Sequence, residues 1–193
     1  MTTWTEALRR AELVAAGAAL VRRGLVRGRE GNLSCRIAGG AVLLTPRGVD
    51  KGRLAAADLV RCALDEPPPS AASSEALAHL AVYRACPGVN ALVHAHPRRV
   101  LELAAIGGLP DPTGIEEGFA LVPFIERVPA AAPGSPELAA ACARALVRAP
   151  AAVLARHGVL CGGDDIWQAL DRVEVLELLA GLALAFGGRT AAI

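Results

Sequence analysis

The chain has 193 residues, a length that fits one domain and lets roughly two thirds to 70% of the unfolded surface be buried. Its 20 Lys and Arg against 19 Asp and Glu leave a formal net charge of +1, which excludes a basic nucleic-acid face and an acidic tail. Hydrophobic residues make up 53% but aromatics only 3%, so Ala, Val and Leu must fill the core, and a base-stacking surface is disfavoured.

Thr5 to Arg23 reads as an amphipathic opening helix, with Leu8, Ala11, Ala15, Ala18 and Ala19 at helical intervals and Gly24 as its stop. Ser34 to Ile37 and Ala41 to Thr45 are short β-type runs around Ala38, Gly39 and Gly40, a hairpin. Leu59 to Leu64 is a third predicted strand. Pro67, Pro68 and Pro69 forbid regular structure, so the next helix starts near Ser73 or Ser74 and ends by Pro87. Val89 to His96 alternates as a strand, which points His94 and His96 to one face.

A short helix over Pro97 to Ala105 leads into an irregular stretch from Gly107 to Gly118. Ala120 to Ile125 is read as a further strand. Ser135 and Pro136 open a helix running to about Arg148. Ala151 to His157 and Val159 to Cys161 are strand-like, and Asp165 with Gln168 resembles a capping box for a long helix ending near Phe186. The apolar run Leu178 to Phe186 is too short to span a bilayer. Thr2, Thr3 and Trp4 open no secretory signal, so a cytoplasmic protein without membrane or nucleic-acid partners is expected. Cys35, Cys62, Cys86, Cys142 and Cys161 form no CxxC pair and are read as reduced, mostly buried thiols. Neither a repeat nor a dividing linker is evident, and residues 1–193 are read as one domain.

Three of the four histidines, His94, His96 and His157, lie in strand-like contexts. Three neutral imidazoles suit a borderline divalent metal and leave a position open, the composition of a catalytic site. An isolated HxH is equally read as two core histidines with ordinary hydrogen bonds, and His79, in mid-helix, is read as structural. Ser73, Ser74 and Glu75 stand where loop becomes helix, a place that favours an anion or, more simply, an ordinary cap. Gly31 to Ser34 and Thr45 to Gly48 read by themselves as turns.

In order, the blocks are GNLS at 31–34, LTPRGV at 44–49, SSE at 73–75, VNALVHAH at 89–96 and RHGVL at 156–160. Together they resemble the class II aldolase/adducin family, over nearly the whole chain from about Leu13 to Leu184. The resemblance implies a three-layer αβα fold, of class α/β, around a largely antiparallel central sheet. It implies a cyclic homotetramer with active sites at subunit boundaries. It also assigns His94, His96 and His157 as metal ligands, normally for zinc. Glu75 matches a carboxylate that contacts the resting metal and then serves as acid/base. Asn32, Gly48, Ser73 and Ser74 match phosphate-site positions.

The activity implied is a metal-dependent lyase that cleaves a carbon–carbon bond of a small phosphorylated sugar or keto acid through a metal-bound enediolate, in the retro-aldol sense. The chain departs from the family's sugar-phosphate aldolases in three ways. Arg29 and Arg47 stand where hydroxyl residues are usual, adding forked cationic donors suited to phosphate or carboxylate, unless they face solvent or a neighbouring subunit. No tyrosine occurs between Pro110 and Phe124, where a neighbouring subunit's proton donor is expected; Tyr83 is the sole tyrosine. Glu116 and Glu117 are candidate donors there, or simply exposed acids. The chain ends at Ile193, soon after its last helix, so the pocket is expected to be open. A decarboxylase of a keto-acid phosphate, which needs no such tyrosine, is one alternative, and a non-catalytic adducin-like interaction module is another. An epimerase fits less well.

Overall fold

The computed structural model describes residues 5–187; the readings of Thr2 to Trp4 and of the chain end at Ile193 lie outside them. Seven strands form one sheet: β1 (Asn32–Ile37), β2 (Ala41–Leu44), β3 (Val60–Ala63), β4 (Ala91–Ala95), β5 (Ile125–Val128), β6 (Ala151–Leu154) and β7 (Gly158–Gly163). Their order is β3-β2-β1-β4-β7-β6-β5. Every pairing is antiparallel except β5 with β6. The helices are α1 (Glu6–Arg22), α2 (Ala76–Ala85), α3 (Arg98–Ala105), α4 (Glu116–Leu121), α5 (Pro136–Arg148) and α6 (Ile166–Ala185).

Period-two alternation divides each strand between two apolar layers. Ala91, Val93, Ala95, Leu33 and Val153 pack with Leu13 and Leu20 of α1, Val100 of α3 and Leu170 of α6 on one face. Leu92, Val42 and Leu160 pack with Leu80 of α2 and Leu138 of α5 on the other. The three-layer αβα arrangement around a mostly antiparallel sheet is therefore present as expected. All five cysteines lie buried and unpaired within these layers. Among the described residues no helix is long and apolar enough to cross a membrane.

Several local expectations need correction. Ala120 to Ile125 is not a strand: Glu116 and Glu117 favour a first helical turn, so α4 runs to Leu121 and Pro123 precedes strand β5. In α1 the buried stripe contains Leu13, Ala16, Gly17 and Leu20 together with the expected Ala19, whereas Leu8 is 40% exposed. Alanines occur all round this helix, so their spacing does not fix which side turns inward. Asp165 caps α6 by accepting from the Gln168 amide, but Gln168 Oε1 returns to the Asp164 amide rather than to that of Asp165. Helix α2 starts at Ala76, later than Ser73 or Ser74, and its cap residue Glu75 makes no capping bond with its side chain. The carboxylate is engaged elsewhere.

At Gly158, the first residue of β7, a Cβ would sit 2.2 Å from the Ala95 carbonyl oxygen and 2.7 Å from His96 Cδ2. The Ala95 carbonyl is backbone of β4, so a side chain cannot be absorbed by local rotation. Gly158→Ala is expected to lower stability by about 1–3 kcal/mol, the usual range for overpacking, measured by urea unfolding. Wild-type stability in this variant would contradict the proximity.

Candidate functional site

The sheet register builds the site. Asn32 of β1 pairs with His94 of β4, and His94 pairs with Leu160 of β7, so His94 sits mid-sheet on the face covered by α2. His96 lies just past the end of β4, its amide donating to the Leu25 carbonyl at 3.1 Å. His157 occupies the turn between β6 and β7, after Arg156, whose φ of 61° is the single positive value on a non-glycine residue among the described residues. Glu75 enters from the start of α2. Strand alternation, a turn and a helix end thus bring four side chains to one point.

One ligand atom from each of His94, His96 and His157 lies within 4.8 Å of the other two. The Nε2 atoms of His94 and His96 are 2.9 Å apart. Glu75 Oε2 is 3.0 Å from His94 Nε2, and Glu75 Oε1 is 2.9 Å from His157 Nε2. His94 Nδ1 lies 2.8 Å from the Val159 carbonyl oxygen, which can only accept, so Nδ1 carries the proton. Burial then keeps the ring neutral, with a pKa pushed down to about 4 despite the raising effect of Glu75. Nε2 of His94 is consequently bare.

Burial, reinforced by His94 and His157, likewise pulls His96 down to about 4. Burial opposes ionisation of Glu75, yet the contact with His157 and the donating Asn32 amide outweigh it and hold the carboxyl below the ordinary carboxylate range. A bare nitrogen therefore faces a carboxylate oxygen with no proton between them. Glu75 Oε1 and His157 Nδ1 are buried without a hydrogen bond of good geometry, Oε1 lying 2.9 Å from His157 Nε2. Crowded lone pairs of this kind fit a divalent cation, and three imidazoles plus a carboxylate form a donor set suited to zinc.

Around the cluster lies a pocket of about 180 Å³ lined by Arg29, Asn32, Arg47, Gly48, Ser73, Ser74 and Glu75 as well as the three histidines. The ten residues read from the sequence as metal-ligating, acid/base or substrate-binding thus line one pocket. Ser73 Oγ accepts from the Glu75 amide at 3.3 Å. The guanidinium groups of Arg29 and Arg47 make no hydrogen bond or ion pair among the described residues, and both are exposed at the rim. Glu116 and Glu117 are exposed on α4 and do not line the pocket.

Two residues that line the pocket, Lys51 and Glu30, escape a reading of the sequence, and a third, His79, touches one of its lining residues from behind. Lys51 is 2% exposed and lines the pocket; its Nζ donates to the carbonyls of Val49 at 2.8 Å and Arg29 at 3.2 Å. Burial lowers its pKa against the opposing effect of Asp50. Glu30 stands 3.7 Å behind His96 Nδ1, where a carboxylate can orient an imidazole. His79, read as structural, contacts Asn32 at 2.5 Å. Lys51 follows the TPRGV block closely and Glu30 precedes GNLS, but only the folded chain shows which way either points.

Comparison with known proteins agrees with this geometry. Residues 11–184 match the family described as Class II Aldolase and Adducin N-terminal domain. A 3-oxo-tetronate 4-phosphate decarboxylase of Haemophilus influenzae is 33% identical over 189 residues, covering 92% of this chain and 87% of that protein. A methylthioribulose-1-phosphate dehydratase of Acidiphilium cryptum is 33% identical over 191 residues, covering 90% and 88%. The crystal structure of L-fuculose-1-phosphate aldolase from Thermus thermophilus superposes with a TM-score of 0.86 at 31% identity, covering 95% of this chain and 98% of that one.

The buried imidazoles make the metal-free protein sensitive to acid. His79 and His94 have an ordinary value of 6.5 and are held at about 4 in the fold. Between those values the unfolded chain binds more protons, so stability falls as pH drops from 6.5 toward 4. Each histidine contributes up to about 1.4 kcal/mol per pH unit. Glu75, held low, extends the loss below its ordinary value of 4.5. The Tm of chelator-treated protein is therefore expected to decline steadily over this window; a flat profile would show that the cluster is not neutral.

Proposed function

The chain belongs to the class II aldolase and adducin family, and on that footing we propose that it is a metal-dependent lyase cleaving a carbon–carbon bond of a small phosphorylated sugar or keto acid. What carries this reading is the bare Nε2 of His94 facing the ionised Glu75 at the floor of a pocket with a cationic rim. An interaction module has no chemical need for such an arrangement. His94, His96, His157 and Glu75 would hold the ion, zinc by donor type. A divalent ion there supplies Lewis-acid stabilisation of the negative charge that bond cleavage leaves on the substrate.

The protein's own groups do the rest. Asn32, the Gly48 backbone, Ser73 and Ser74 bind the phosphate, and the rim arginines neutralise it with forked donors. Glu75 takes or returns a proton at Oε1, the oxygen without a hydrogen-bond partner. We further place the working form as a cytoplasmic homotetramer, supported by the exposed apolar side chains of Ile106, Phe119 and Phe124.

Two observations favour decarboxylation of a keto-acid phosphate over aldol cleavage. Within one protomer none of Glu116, Glu117 and Tyr83, the groups that could take the place of the expected tyrosine, lines the pocket. Loss of carbon dioxide needs none to polarise an aldehyde. Arg29 and Arg47 also leave two unpaired guanidinium groups, enough for a carboxylate beside the phosphate.

The deciding assay loads purified protein with zinc and follows aldehyde or carbon dioxide release from phosphorylated sugars and keto acids. Turnover is expected, abolished by chelation and by His94→Ala or His96→Ala; turnover insensitive to all three would refute the metal reading. Arg47→Ala should raise KM for an anionic substrate by about 10- to 100-fold, the worth of one charge-assisted hydrogen bond. An uncharged analogue should be little affected, and equal losses would remove Arg47 from the anion site.

A further inference from the structure

Beneath the pocket floor, behind Asn32 and Glu75, lie three buried polar side chains, His79, Ser34 and Tyr83, that the proposed cleavage does not itself use. His79 of α2 is 0% exposed, yet both ring nitrogens have partners. Nε2 lies 2.5 Å from Asn32 Oδ1 and Nδ1 lies 2.6 Å from Ser34 Oγ. Ser34 Oγ is in turn 2.8 Å from the Tyr83 hydroxyl. At the other end Asn32 Nδ2 donates to Glu75 Oε2 at 3.1 Å. Asn32 and Ser34 share this face because they stand two apart on β1.

Chemistry at the ends orients every bond. The Glu75 carboxylate only accepts, so Asn32 must turn its NH2 toward it and its Oδ1 toward His79. Oδ1 only accepts as well, so His79 Nε2 carries a proton. A second proton on Nδ1 would create a fully buried cation touching only neutral side chains. Nδ1 is therefore bare, the Ser34 hydroxyl donates to it, and the Tyr83 hydroxyl donates to Ser34. All four bonds point toward Glu75, and each polarises the next.

We propose that His79 is a positioning residue: as the Nε2–H tautomer backed by Ser34 and Tyr83, it locks the Asn32 amide so that Glu75 Oε2 is pinned and Oε1 stays available. An amide has nearly the same shape after a half-turn, so packing alone does not choose between its two orientations. Flipped, Asn32 would set its oxygen against the carboxylate. The His79 N–H makes that orientation costly, because two donors would then meet at Nε2 as well. The consequence for catalysis rests on the reading of Glu75 as the group that moves the proton.

Nitrogen-15 NMR of histidine-labelled, chelator-treated full-length chain reads the tautomer directly. His79 is expected with Nε2 protonated and Nδ1 bare; the reverse tautomer overturns the proposal. In the zinc-loaded protein, His79→Leu should lower kcat by about 10- to 100-fold, as for other groups that orient a metal-site residue. His79→Gln, which retains an amide donor toward Asn32, should recover most of that loss. A folded His79→Leu protein with wild-type kcat, or a His79→Gln protein no better than His79→Leu, overturns it. If His79→Leu fails to fold, the tautomer and the kcat of His79→Gln against wild type decide, near wild type supporting the proposal and a deep loss opposing it. Glu75→Gln is the control for the underlying reading. Wild-type turnover in that variant would sink the role of Glu75, while the tautomer would still report on the lock.

Discussion

His94 gives its Nδ1 proton to the Val159 carbonyl, and the electrostatics of the site follow from that bond. It leaves Nε2 as a lone pair aimed at Glu75 and His96. Because the acceptor is a backbone oxygen of β7, the orientation is fixed by the same antiparallel pairing that places Ala95 opposite Val159. The sheet thus does two things at once, holding strands together and choosing a tautomer. Glu75 resists protonation for a related reason, since its neighbours favour its ionised form more than burial disfavours it.

The charges around the pocket are arranged in depth. At the floor stand an anionic carboxylate and the neutral imidazoles of His94 and His96, a setting for a cation. At the rim stand Arg29 and Arg47, a setting for an anion, with Lys51 buried in the wall and tied to two carbonyls. A ligand with a phosphate at one end and adjacent oxygens at the other matches both levels. This vertical ordering also limits how such a ligand can enter, because the reverse orientation sets phosphate against Glu75.

Much of this is legible in the residues. Period-two spacing places His94 and His96 together, and five separated blocks in one order identify the family and its layers. The α4 region resists such reading because a short apolar run after Gly118 fits helix and strand alike, and nothing local distinguishes Glu116 and Glu117 as acids of a first turn from acids of a loop. His79 is opaque for another reason, since a mid-helix histidine has no partner in its own neighbourhood. Its partners, Asn32 and Ser34, lie more than forty positions away and become neighbours only when α2 settles on β1. Pairings of that kind depend on packing between layers, which no local pattern encodes.

The burial of the five thiols bears on any divalent ion that the histidine cluster could hold. Burial raises Cys35, Cys142 and Cys161 to about 12, so in the native state soft sulfur is withheld and imidazole meets no rival. Unfolded, the same chain would offer five thiols at their ordinary acidity beside four histidines. Zinc would then have sites on both sides of the folding equilibrium, which weakens its stabilising effect. An ion offered to the folded chain would therefore meet imidazole and carboxylate alone, whereas one offered to the unfolded chain would also meet sulfur.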